Sequence, residues 1–351
     1  MFGVWCLVFG PGASTSHAAD SSPKFLGAPS CSSSLCHGGA DEKHNQFVTW
    51  SKKDFHTRAP ATLSLARSAR IAETLKIADP TSEARCTVCH NPFQAVPAGR
   101  KAPEIARLEG VSCESCHNAA ENWRLTHTRT DLTHEQKVAA GLRDLNNLYV
   151  RANTCVACHQ NLDPELRSAG HPELTFELDG QSASMPRHWA ETNRVRGAQV
   201  WLVGQAVALR EAVAQTANAK VNDDKRQRAT ALAALLGLSV DAQAADNLAR
   251  DTAGQSWTET DVRSRLTKLA SAQEQFAGAP DPASDQAQRA ERLVLGLERL
   301  LVALQWQKQP TLSTNLDSLF KDVQSRPDFS PKKFAEHLKA FAEELKTVPG
   351  N

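Results

Sequence analysis

The chain has 351 residues, with 40 Lys and Arg against 39 Asp and Glu and a net charge of +1. That balance carries none of the basic excess by which nucleic-acid binding is read, and the length is enough for two domains. Nine cysteines, twelve histidines, two methionines and a single tyrosine define the residues on which any chemistry must draw.

In chain order, residues 2–9 form a short apolar run, followed by Gly-Pro-Gly and by Ser16-His17-Ala18-Ala19-Asp20. This reads as an export signal over residues 1–19, cleaved after Ala18 or Ala19. No Lys or Arg precedes Lys24, so the positive start of such a signal is missing, which points to a start codon further upstream or misassigned. No later segment has an apolar run long enough to span a bilayer. The expected product is a soluble protein of the bacterial periplasm.

Residues 20–193 are broken by Gly, Pro, Ser and Asp, with short helical pieces at 61–78 and 135–147. From 194 onward the texture changes to Ala- and Leu-rich segments of helical period. Helices are expected at 195–217, 225–238, 261–276, 283–307, 312–324 and 331–345. The last begins well, with Ser330 as cap and Pro331 in the first helical position, and its stripe Phe334, Leu338, Phe341 and Leu345 faces inward. Thr258 with Asp261 forms a second capping pair. The fold class read from this pattern is mainly α: an irregular short-helix and loop domain (20–193), then an α-helical bundle domain (194–351). The bundle has no cysteine, and docking to a partner or dimerisation are its candidate roles.

The chemistry sits in the first domain. Four times a cysteine pair runs into a histidine: Cys31 and Cys36 before His37, Cys86 and Cys89 before His90, Cys113 and Cys116 before His117, Cys155 and Cys158 before His159. The last three fit C-x-x-C-H, the attachment site of c-type haem. The two thiols add to the haem vinyl groups and the histidine binds iron from one face, which requires all three to meet one rigid ring. The first motif has four residues between its cysteines, a widened variant. Eight of nine cysteines are thereby used, and Cys6 lies in the signal. A disulfide framework or a paired zinc site leaves the recurrent histidine unexplained. Four covalently bound haem c groups are expected.

The opposite face of each iron decides function: a sealed iron passes electrons, an open one binds small molecules. Only Met1 and Met185 exist, so histidine is the default sixth ligand. His56, His127 and His171 lead, each with apolar or aromatic neighbours, and His188 follows. His44 and His134 lie in polar, turn-like surroundings and are weaker candidates. His17 leaves with the signal, and His337 reads as a boundary histidine of the last helix.

Residues 26–189 resemble the tetrahaem core of the multihaem cytochromes related to cytochrome c-554. The resemblance is carried by CSSSLCHGG at Cys31 to Gly39, GVSCESCH at Gly110 to His117, Trp123 with His127, CVACH at Cys155 to His159 and GHPELTFEL at Gly170 to Leu178. It covers about half the chain and departs from the family in the widened first motif and in the haem-free helical half. It implies closely paired, mostly bis-histidine haems that relay electrons between periplasmic or membrane-bound redox proteins. Because one haem of the prototype is five-coordinate, it also leaves open a reductase acting on a nitrogen or sulfur oxide, with Arg124, Arg129 or Arg187 as anion-steering candidates. One tyrosine, Tyr149, and no C-x-x-C-K motif speak for the carrier.

Overall fold

The computed structural model describes residues 22–103, 105–189, 193–216, 223–276, 283–324 and 328–348. The export-signal reading, with Cys6 and His17, lies outside the described residues. Sixteen α-helices and no strand occur among the described residues; the one β feature is an isolated bridge between Phe25 and Lys101. The fold is mainly α.

The first nine helices are short: α1 (Gln46–Lys53), α2 (Ala59–Thr62), α3 (Ala66–Leu75), α4 (Ala84–His90), α5 (Cys113–His117), α6 (His134–Ala139), α7 (Leu148–His159), α8 (Pro164–Ser168) and α9 (Leu178–Ser184). Two expectations change here. The helix expected over 61–78 is broken, because Leu65 is extended (φ −82°, ψ 158°) and separates α2 from α3. The helix expected over 135–147 ends at Ala139, and Asn147 starts a new one. Its side chain accepts from the backbone N–H groups of Tyr149 and Val150 and so caps α7, the typical work of a short polar side chain at this position.

The second half contains α10 (Val195–Thr216), α11 (Asp223–Leu236), α12 (Ala242–Gly254), α13 (Glu259–Ala270), α14 (Ala283–Leu304), α15 (Pro310–Gln324) and α16 (Pro331–Leu345). Ser330 caps α16 and its apolar stripe is buried, while Thr258 and Asp261 form a capping box on α13. Helix α12 was not expected. Its buried face is Ala245, Ala249 and Thr252, too small to register as an apolar stripe, although Asp241 caps it through Gln243 and Ala244.

Helix α10 is central. It is buried almost all round, with Trp201, Leu202, Val203, Val207 and Leu209 inside, as expected of a helix surrounded by others. It packs on α7, α9, α11, α12, α13 and α14. A Cβ on Gly204 would stand 2.7 Å from that of Leu178, so glycine is what lets α9 approach α10 so closely. The apolar core does not stop at the texture change near residue 194. Leu148, Ala152, Val156, Phe176 and Leu178 belong to the same cluster as the bundle helices.

Polar bonds fasten the same junction. The Tyr149 hydroxyl donates to Asp246 (2.7 Å), and Arg210 reaches Asp246 (2.7 Å), Asn153 (2.6 Å) and Glu211 (2.5 Å). Gln160 donates to the Ala208 carbonyl (2.9 Å) and Arg228 to that of Leu174 (2.9 Å). Burial alone would raise the Asp246 carboxyl, but hydrogen bonds from Arg250, Tyr149 and Arg210 outweigh it and hold the carboxyl at about 2.

A carboxyl lowered by folding adds stability above its unfolded pKa of about 4 and loses it as pH falls toward the folded value. Denaturation midpoints measured against pH should therefore show wild type above Asp246→Asn at neutral pH, the two converging as pH falls from about 4 to about 2. Parallel curves would remove Asp246 from the acid response.

Candidate haem-binding site

Three of the four motifs are built the same way. In α4, α5 and α7 the cysteines stand three residues apart on one helix face, and the histidine is the last helical residue. Residues at this spacing are neighbours on a helix surface, so both sulfurs and the imidazole leave the same end of the same turn. The first motif is a turn instead. Cys36 N and Gly38 N both donate to the Ser33 carbonyl (2.9 Å each), and His37 N donates to that of Cys31 (3.3 Å). A Cβ on Gly38 would lie 1.9 Å from the Ser32 carbonyl oxygen. Only glycine lets the widened loop fold back on itself and bring His37 round.

Each motif histidine faces one other imidazole. Ring centres are 6.1 Å apart for His37 and His127, 6.3 Å for His90 and His171, 6.5 Å for His117 and His188, and 6.1 Å for His159 and His56. Two imidazoles on opposite sides of one metal ion, each nitrogen about 2 Å from it and each ring centre about 1 Å further back, have centres about 6 Å apart. The remaining candidates do not join such pairs. His44 is half-buried and bound to Asp41 (2.9 Å), and His134 uses Nε2 on Asp144 (3.0 Å). In the bundle, His337 is bound to Asp322 (2.6 Å).

Six of the eight paired imidazoles are hydrogen-bonded through Nδ1. That nitrogen is hydrogen-bonded to Gln46 Oε1 in His37 (2.9 Å), to Asp54 Oδ1 in His56 (2.9 Å), to the Arg124 carbonyl in His127 (2.5 Å) and to the Pro172 carbonyl in His171 (2.8 Å). In His90 it meets the Thr62 hydroxyl (2.9 Å) and the Ala59 carbonyl (3.1 Å), and in His159 the Gln181 amide (3.2 Å). Where the partner accepts, as at His37, His56, His127, His171 and His90, it fixes the ring plane and tautomer of a metal-binding histidine and leaves Nε2 for the metal, whereas at His159 the Gln181 amide N–H donates. Burial lowers the pKa of His90, His159 and His188, and takes His117 down to about 4 with help from His188 and His37. These rings are thus neutral near pH 7, the form that offers a lone pair.

The motifs also touch one another. Cys31 lies against Cys113, and this contact brings its thiol down to about 6 despite burial. Cys89 lies against Cys158 and is brought down to about 7. Burial pushes Cys155 up to about 12, with Cys116 beside it. All eight described cysteines are free thiols, and no group of three or more His, Cys, Asp or Glu residues suited to a bare metal ion occurs among the described residues. Neither a disulfide framework nor a zinc cluster is present among them.

Several positioning residues escaped the sequence reading. Thr62, the last residue of α2, places its hydroxyl on His90 Nδ1 (2.9 Å). Two buried carboxylates join the first motif to the third. Glu114 accepts from the backbone N–H groups of Leu26 (2.9 Å), Gly27 (2.6 Å) and Ala120 (2.7 Å), and Glu109 from Ala28 N (2.8 Å) and the Ser112 hydroxyl (2.7 Å). Burial raises the Glu114 carboxyl against the pull of those N–H groups. Its signal was visible: a Glu between two motif cysteines stands where the chain must be covered, and a covered carboxylate needs donors.

The surroundings fit haem. Leu35, Phe55, Val88 and Leu125 are exposed, and each lies within a motif or beside a paired histidine, where an apolar disc would cover it. The indole Nε1 of Trp123 is buried without an acceptor, and its ring touches His117 and His127. That donor suits a propionate.

Residues 30–118, a stretch that takes in the first three motifs, match the protein family described as cytochrome c554 and c-prime. No curated protein and no solved structure matches the chain. The family match supports a c-type cytochrome with covalently bound haem and a role in electron transfer. Among the described residues no helix is long and apolar enough to cross a membrane.

Removing the Glu114 carboxylate leaves three backbone donors without a partner at about 1–3 kcal/mol each before relaxation. Glu114→Ala is expected to lower the unfolding free energy by about 3 kcal/mol, measured by denaturant titration, with Glu114→Gln losing less. A variant as stable as wild type would show that water replaces the carboxylate.

Proposed function

We propose that this chain is a periplasmic tetrahaem c-type cytochrome that relays electrons between redox partners, each iron held between two histidines. The four facing imidazole pairs carry this reading: His37 with His127, His90 with His171, His117 with His188, and His159 with His56. Haem bound there supplies reversible one-electron chemistry at iron. Cys31 and Cys36, Cys86 and Cys89, Cys113 and Cys116, and Cys155 and Cys158 would hold the ring, and the paired histidines would hold the iron.

The contacts between motifs support a continuous series. The second motif meets the fourth through Cys89 and Cys158, the third meets the first through Cys113 and Cys31, and Cys155 of the fourth lies within electrostatic reach of Cys116 of the third. His117 also lies within electrostatic reach of His37 and His127. Sites in the order second, fourth, third, first let an electron enter at one end and leave at the other. The partners are periplasmic or membrane-bound redox proteins, and the haem-free bundle holds the fourth motif's helix.

A reductase with one five-coordinate iron would need a motif histidine that faces no second imidazole, and all four face one. Of the three anion-steering candidates, Arg129 pairs with Asp131 (2.5 Å) and Arg124 reaches the Ser30 carbonyl (3.4 Å).

The deciding measurement is haem per chain with a carbon monoxide difference spectrum of the reduced holoprotein. Four haems and no carbon monoxide complex are expected, and a complex on wild type would overturn the sealed-iron reading. His171→Ala should open one site in four. Gly38→Ala should lower the haem content by one, because the added methyl group collides with the Ser32 carbonyl and displaces His37.

A further inference from the structure

Asp54 is 5% exposed, and a buried carboxylate is costly unless bonded. Part of its role is local: Oδ1 accepts the His56 backbone N–H (3.0 Å) and caps the turn Phe55–Arg58. The same oxygen also takes Nδ1 of His56 at 2.9 Å. The other paired imidazoles with a hydrogen bond at Nδ1 meet neutral groups, namely the side chains of Gln46, Thr62 and Gln181 and backbone carbonyls. Among the described residues, Asp54 alone places a carboxylate on a paired imidazole.

Its position matters as much as its charge. Asp54 lies within electrostatic reach of His188, which faces His117, and of Cys116 in the third motif. One buried negative charge thus stands between the third and fourth sites. A carboxylate that draws on the Nδ1 proton makes Nε2 a stronger donor, and second-shell hydrogen bonding of this kind stabilises the oxidised, more highly charged state of a ligated iron. The charge acts through space on the neighbouring site in the same direction, undamped by water because it is buried.

We propose that Asp54 sets the reduction potentials in the middle of the relay, lowering that of the fourth-motif haem most, through His56, and that of the third-motif haem less. This rests on the ligation proposed above. Each step moves one electron. Electrons then reside on the outer sites, first and second, and the inner pair bridges them.

The test is an equilibrium redox titration of the holoprotein, followed by visible absorbance and electron paramagnetic resonance, for wild type, Asp54→Asn and Asp54→Glu. In Asp54→Asn one of the four one-electron components should rise most, a second rise less, and two stay in place. Asp54→Glu, which keeps the charge, should stay near wild type, and it carries the test if the Asn variant loads fewer haems. Unmoved components, a common shift of all four, or a Glu variant that moves as far as the Asn variant would overturn the proposal. His56→Ala separates the two levels. If it yields no high-spin, carbon monoxide-binding haem, the ligation itself fails. If it does so while Asp54→Asn leaves the potentials unmoved, only the role of Asp54 fails.

Discussion

Four pairs of imidazoles, their ring centres 6.1–6.5 Å apart, impose the conditions that residues 22–189 meet. Each ring must be presented at a set distance from a ring elsewhere in the chain, and six of the eight are held through the second nitrogen as well. Long regular helices would not serve. Helix α2 stops at Thr62, whose hydroxyl lies on His90, and the chain turns extended at Leu65 before α3 begins. The widened first motif abandons the helix and relies on Gly38 to return. Irregularity here is a consequence of ligand geometry.

Such a half has few large side chains to bury, and polar bonds take over part of the work of a core. Asp54, Glu109 and Glu114 are all buried carboxylates, each supplied with N–H or O–H donors. A carboxylate that accepts several backbone donors is among the stronger hydrogen-bonding arrangements available, and it fixes loops that lack regular structure. Glu109 and Glu114 draw the segment Lys24 to Cys31 onto the third motif, which accounts for the contact between Cys31 and Cys113.

The helical half supplies the missing apolar core. Phe176 and Leu178, both fully buried, are each worth roughly 1.5–3 kcal/mol, and they are buried in a cluster shared with α10. Helix α7 ends on His159 and is held to α10 and α12 through Tyr149, Asn153, Arg210 and Asp246. Helix α9 is tied to α14 through Asp179 and Arg299 (2.7 Å) and presents Gln181 to His159. The orientation of the fourth motif histidine thus depends on helices that contain no cysteine.

The cysteine motifs, the supply of histidines and the helical texture after residue 194 were legible in the amino-acid sequence, because each rests on local spacing: sulfurs and imidazole within one turn, or apolar residues repeating every third or fourth position. Helix α16 could be read to the residue for that reason, since Ser330, Pro331 and the stripe from Phe334 to Leu345 agree. Helix α12 could not, because alanines bury a face without marking it. Nor could the break at Leu65, since nothing nearby in the chain demands it. Tertiary structure alone decided which imidazole faces which, that His188 faces His117 while His44 and His134 turn to aspartates, and that Asp54 stands between two sites. Those outcomes depend on contacts between residues far apart in the chain, whose partners are chosen by the packing of whole segments and leave no periodic trace in the order of the residues.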